Sequence, residues 1–190
     1  MPKIILASGS VQRKEMLQEA GIDFEVQVSN VDETPVAALS VTEQLKDISM
    51  RKALAVLNRV KGEDCIIVAA DQNIFFNGTM YGKPRTIVEA RQLIKSMQGS
   101  NQIYACVGNT VLYVSNSTVI DYISECDIAR MRMDYIPDEE LEKYLATRFP
   151  LMKCGGINIL DTPGLHLEEG KMSTARGMTI EYLKDMLSRF

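Results

Sequence analysis

The 190-residue chain has a single histidine, His166, and four cysteines, none of them in a CxxC pair. Zinc sites are built from closely spaced Cys and His, so this composition argues against one. The cysteines, Cys65, Cys106, Cys126 and Cys154, are scattered along the chain. They read as reduced, mostly buried thiols of a cytoplasmic protein. No stretch approaches the ~20 apolar residues of a membrane span. The first residues hold too few apolar and basic side chains to read as a signal peptide. Basic runs are lacking as well. With 21 Lys+Arg against 25 Asp+Glu the net charge is −4, which does not argue for nucleic acid. The partners expected therefore include neither nucleic acid nor membrane. Internal repeats and low-complexity segments are absent. Two glycosylation-type triplets, at Asn77 and Asn116, carry no meaning in a cytoplasmic setting.

What is present is an ordinary globular mixture, 46% hydrophobic and 24% charged, enough for one core or two small lobes. Strand-like runs occupy 3–8, 24–29, 64–76, 102–114, 118–133 and 157–167. Helix-like runs occupy 11–20, 41–59, 86–97, 138–147 and 177–189. Ser40-x-x-Glu43 and Thr86-x-x-Glu89 have the form of capping boxes. Ala90, Leu93, Ile94 and Met97 make one apolar stripe on a helix. The runs 102–114 and 118–133, joined at Ser115-Asn116-Ser117, read as an antiparallel hairpin. The class is therefore α/β with a mixed sheet.

Residues 4–17, IILASGSVQRKEML, describe a strand that feeds a helix through a Ser-Gly-Ser turn. Gly9 permits a tight turn and Ser10 is a good N-cap. The free N–H groups of the helix, with Arg13 and Lys14 in its first turn, suit a phosphate. An ordinary capped helix with solvated cations is the alternative reading. Asp32-Glu33, fixed before Pro35, reads as a metal or catalytic pair or as solvated loop acids. The apolar run Cys65–Ala70 ends in Asp71, at the strand end where α/β sheets bind ligands. Asp71 is placed to bind metal or activate water, or simply to cap a turn. Lys52 on its helix and Lys83 in Gly82-Lys83-Pro84 can reach a phosphate or lie in water. Gly155-Gly156 allow close approach of a ligand, or make a turn.

In order, these segments resemble the Maf family of nucleotide pyrophosphatases. Leu6–Leu17 is similar to its LASxSPxRxxLL signature, and Val31-Asp32-Glu33 to its VDE. Arg51-Lys52-Ala53 fits its helix lysine, and Asp71-Gln72 with Gly82-Lys83-Pro84 fits its D(T/Q)…GKP block. Lys153-Cys154-Gly155-Gly156 fits its KAG or CAG element, and Arg176–Thr179 the start of its last helix. The resemblance implies a single Maf-like domain over 1–190: a mixed central sheet flanked by helices, in two lobes around a cleft, often a homodimer. It also implies hydrolysis of a nucleoside triphosphate to the monophosphate and pyrophosphate with a divalent metal, Mg²⁺ or Mn²⁺. By resemblance Asp71 is the general base and, with Glu33, a metal ligand. Ser8, Ser10, Arg13, Lys52 and Lys83 hold the triphosphate. Gln12, Gln72 and Asp161 occupy selectivity positions. Gln72, Cys154-Gly155-Gly156 and Asp161 lean toward the 7-methyl-GTP branch, while Gln12 replaces the aromatic that branch often carries; dTTP or UTP is the other expectation. Val11 and Ala105-Cys106 depart from the pattern. A nucleotide-binding regulator of cell division with little turnover, or a phosphatase releasing orthophosphate, are the competing readings.

Overall fold

A computed structural model of the protein describes residues 2–60, 62 and 64–189. The chain runs β1 (Lys3–Leu6), α1 (Val11–Glu19), β2 (Glu25–Val26), α2 (Val41–Leu57), β3 (Cys65–Phe76), β4 (Thr79–Tyr81), α3 (Ile87–Met97), β5 (Ile103–Ser115), β6 (Thr118–Met133), α4 (Asp138–Ala146), β7 (Leu165–Glu169), α5 (Met172–Ala175) and α6 (Ile180–Leu187). Two 3-10 turns, Phe149–Met152 and Cys154–Gly156, follow α4. The strands form one sheet in the order β2-β1-β3-β5-β6-β7, with β4 paired to β3. The sheet is mixed: β1 is parallel to β2 and β3, while β4 and β7 are antiparallel to their partners. Among the described residues no helix is long and apolar enough to cross a membrane.

The chain divides into two compact units. The first comprises 1–71, 107–127 and 177–190, and the second 72–106 and 128–176. In the first, strand alternation sends successive residues to opposite faces. Ile4, Leu6, Ile66, Val68 and Ala70 pack with Met16 and Leu17 of α1 and with Ile180, Leu183 and Met186 of α6. Ile5, Ala7, Cys65, Ile67 and Ala69 pack with Ala53 and Val56 of α2. The near-continuous apolar run of β3 follows from having helices on both faces. In the second unit, Ile94 and Met97 of α3, Leu141 and Leu145 of α4, and Met131 and Met133 of β6 share one core.

The hairpin turn read at Ser115-Asn116-Ser117 exists, and Asn77-Gly78 makes a second between β3 and β4. Asn77-Gly78 and Asn116-Ser117 all have positive φ, as a two-residue turn matching the sheet twist requires. Four expectations change. Residues 157–164 are not strand: Thr162 N donates to the Asn158 carbonyl at 2.9 Å, and this turn interrupts the apolar run, so β7 begins only at Leu165. The last helix starts at Ile180 rather than 177, because Gly177 has φ 100°, and a short α5 precedes it. The second strand shrinks from 24–29 to Glu25–Val26. Finally, Ser40 and Glu43 make a full capping box, but Glu89 reaches Arg85 N at 2.8 Å instead of the Thr86 amide. Thr86 still caps, accepting from Glu89 N at 3.1 Å.

Candidate active site

Parity along β1 and β3 decides which helix each candidate meets. Leu6 lies opposite Val68 in parallel register, so Ser8, just past the carboxyl end of β1, comes level with the middle of β3 near Asp71. β3 runs on to Phe76, so Asp71 lies inside the strand and not at its end as the apolar run Cys65–Ala70 suggested. Ser8 shares the parity of Leu6 and faces α1. Asp71 shares the parity of Ala69 and faces α2. Two groups of side chains result, both within the first unit.

The first group is Ser8, Ser10 and Arg13. Ser8 Oγ accepts from Ser10 N at 3.2 Å and from Arg13 Nη1 at 3.1 Å. Arg13 Nε donates to the Gly177 carbonyl at 2.9 Å. Ser10 caps α1 through Arg13 N at 3.5 Å. Arg13 is therefore a held side chain and not a mobile one. Gly9 does not earn its place by conformation. Its φ is not positive, and a Cβ there would meet only Val28, at 3.5 Å. The Ser8 hydroxyl makes the turn. Gln12 follows on α1, half-buried.

The second group is centred on Lys52. Its Nζ lies 2.7 Å from Asp71 Oδ1 and 3.0 Å from Glu33 Oε2. Lys52 and Asp71 are buried, whereas the Glu33 side chain is 57% exposed. α2 delivers the ammonium to this spot because it sits directly on β5. A Cβ added at Gly108 would overlap the Leu45 carbonyl, and Ser49 Oγ and Thr110 Oγ1 share a buried hydrogen bond of 2.9 Å. Position 52 falls four residues after Ile48 and four before Val56, both buried. A lysine on that stripe was the sequence signal that it is not a solvent residue.

Gln72, Lys83 and Asp161 belong to the second unit. There the structure joins two loops that the sequence kept separate. Gly155 N donates to the Gly82 carbonyl at 2.8 Å, which ties the exposed Lys83 to the Lys153–Gly156 segment. Gly155 has φ 64°, and a Cβ would press on Ile74 at 2.9 Å. Gln72 enters the same cluster: its carbonyl accepts from Cys154 Sγ at 3.0 Å, and its Nε2 reaches the Ala175 carbonyl at 3.4 Å. Asp161 sits in an exposed turn, where its carboxylate accepts from Asn158 Nδ2.

The sequence reading missed Tyr144, which builds this region. Its hydroxyl donates to the Gly156 carbonyl at 3.1 Å and accepts from Thr162 Oγ1 at 3.0 Å, and Thr162 in turn accepts from Asn158 N at 2.8 Å. Burial pushes the Tyr144 phenol up to about 12. The signal was a tyrosine on the apolar stripe of α4, beside Leu141 and Leu145, where a buried hydroxyl needs a partner.

The donor set bears on a cation. No group of three or more potential metal-binding side chains occurs among the described residues. Two carboxylates do converge on one ammonium, which leaves one surplus negative charge. Mg²⁺ commonly takes only one or two protein carboxylates, with water and substrate phosphates completing its shell. Glu33 and Asp71 fit that pattern.

A family model described as Maf-like protein matches residues 3–190. The dTTP/UTP pyrophosphatase of Bdellovibrio bacteriovorus is 33% identical over 194 residues, covering 100% of this chain and 99% of that one. The dTTP/UTP pyrophosphatase of Clostridium beijerinckii is 33% identical over 188 residues, 97% of each. A nucleoside triphosphate pyrophosphatase of Mycobacterium leprae is 29% identical over 200 residues, 100% of this chain and 93% of that one.

Proposed function

The chain belongs to the Maf-like protein family, and from that premise we propose that it is a nucleoside triphosphate pyrophosphatase, cleaving between the α- and β-phosphates to give the monophosphate and pyrophosphate. The observation that carries this reading is the Lys52 cluster beside β3, where that strand runs past the carboxyl end of β1. Asp71 is buried and oriented by Lys52 through Oδ1. Among the described residues no protein donor takes its Oδ2. It is the general base: it accepts a proton from the attacking water as that oxygen bonds phosphorus and the bridging oxygen departs. Ser8, Ser10 and Arg13 hold the phosphates, because charge-assisted bonds from Arg suit a polyanion. Glu33 and Asp71 would hold a divalent cation, Mg²⁺ or Mn²⁺, which when bound supplies neutralisation of the phosphate charge.

For the base, the names of the relatives favour uracil and thymine. Asp161, an acceptor, favours the donor-rich edge of guanine, though Asn158 already occupies part of that carboxylate. Cytoplasmic location and a homodimer complete the reading. The test is incubation with UTP, dTTP, 7-methyl-GTP and the common triphosphates, with and without Mg²⁺ or Mn²⁺, with product identification. Pyrophosphate and monophosphate in equal amounts are expected. Orthophosphate as first product overturns it, and tight binding without product points to a regulator.

A further inference from the structure

Two arginines grip the segment that carries Glu33. Residues 27–40 belong to no helix or strand, so most of their carbonyls have no ladder to accept from. Guanidinium groups take four of them. Arg59, just past α2, donates from Nη1 to the Val28 carbonyl and from Nη2 to the Ser29 carbonyl, both at 2.7 Å. Arg51, on α2, donates from Nη1 to the Asp32 carbonyl and from Nη2 to the Thr34 carbonyl at 3.0 Å. Asp32 and Thr34 are the residues on either side of Glu33. Arg51 is itself fixed on its helix by Asp47, whose Oδ2 accepts from Nε at 2.9 Å and lies 2.8 Å from Nη2. The turn is closed from within: Asp32 Oδ1 accepts from Thr34 N at 2.9 Å and from Thr34 Oγ1 at 2.6 Å.

We propose that Arg51, held by Asp47, is a positioning residue: its forked grip on the carbonyls flanking Glu33 fixes where the Glu33 carboxylate meets Lys52. Adjacent residues of α2 then do complementary jobs. Arg51 holds the backbone of the 32–34 turn, and Lys52 holds the side chain it presents and that of Asp71. All three guanidinium nitrogens of Arg51 already face protein acceptors, so Arg51 is not offered to a phosphate. A lysine cannot replace it, because an ammonium is a point donor without the planar fork that spans two carbonyls and a carboxylate. The kinetic part of this inference rests on the proposed function, and the geometric part does not.

The experiment combines Arg51→Ala, Arg51→Lys, Glu33→Ala and the double variant Arg51→Ala/Glu33→Ala. Supporting groups of this kind typically cost about 10–100-fold when removed. Both Arg51 variants are expected to lower kcat by that order with little change in KM, and Arg51→Ala is expected to cost less than about twofold once Glu33 is gone, since coupled residues are not additive. Equal losses in both backgrounds, or a raised KM with kcat intact, overturn the proposal in favour of direct substrate contact. A second readout needs no turnover. Amide hydrogen exchange at Thr34, whose N–H is held by Asp32 Oδ1, should speed about tenfold in Arg51→Lys, with the amides of α2 unchanged. Unchanged exchange overturns the clamp even in an active enzyme. Faster exchange in a protein that hydrolyses nothing upholds the clamp and overturns only the function.

Discussion

Lys52 lies between two carboxylates, and its removal leaves both uncompensated. Breaking a buried pair by deleting one partner costs about 3–5 kcal/mol. Glu33 is 57% exposed and water absorbs part of its share, so Lys52→Ala should cost about 3 kcal/mol, at the low end of that range. Urea denaturation checks this. Lys52→Met combined with Asp71→Asn should recover much of the loss, because no buried charge is then stranded. A double variant as unstable as Lys52→Ala would show that packing, not charge, sets the cost. A second prediction at this scale concerns alkaline pH. Burial pushes the Cys126 thiol from 9.0 up to about 11 and the Tyr144 phenol from 10.0 up to about 12. The unfolded chain therefore releases these protons first. Stability from this source is intact below pH 9 and declines as pH rises from 9 to 12. Urea midpoints at pH 8 and 10.5 should differ, and less so in Cys126→Ala and Tyr144→Phe. Equal slopes in wild type and both variants would contradict the assignment.

At the scale of elements, the site depends on α2 being seated on β5. Gly108→Ala places a methyl group against the Leu45 carbonyl. Overpacking of this kind costs about 1–3 kcal/mol, and here the strain shifts backbone that carries Lys52. Both thermal stability and kcat should fall; a variant with wild-type values in both would show that α2 yields without moving Lys52. The same elements show what was legible in the sequence. β3 and the hairpin turn at Asn116-Ser117 could be read because an apolar run and an Asn-led turn have local causes. Residues 157–164 misled because Ile157, Ile159 and Leu160 look like strand, while the bonds among Asn158, Asp161, Thr162 and Tyr144 that shape the turn involve a residue on another helix. In the site, Ser10 as cap was readable locally, and so was Asp71 as the acid that follows an apolar run, although β3 continues through it to Phe76. The loop joined through Gly82 and Gly155, and the grip of Arg51 on Asp32 and Thr34, were not, because their partners lie 17 or more residues away.

For the whole molecule, one family model spans both compact units, and β3, β5 and β6 each supply residues to both. We propose that the two units fold as a single domain over 1–190, so that circular dichroism and tyrosine fluorescence in urea report one coincident transition. Two separated transitions would show two folding units. The proposed base is Asp71, within β3 and oriented by Lys52 at 2.7 Å. The measurement that reaches it most directly is the rate of pyrophosphate release by Asp71→Asn, on the triphosphate the wild-type protein hydrolyses fastest. The side chain keeps its shape and loses its basicity, so the rate should fall about 10²–10⁴-fold with the fold intact by circular dichroism. Release at the wild-type rate would contradict the account.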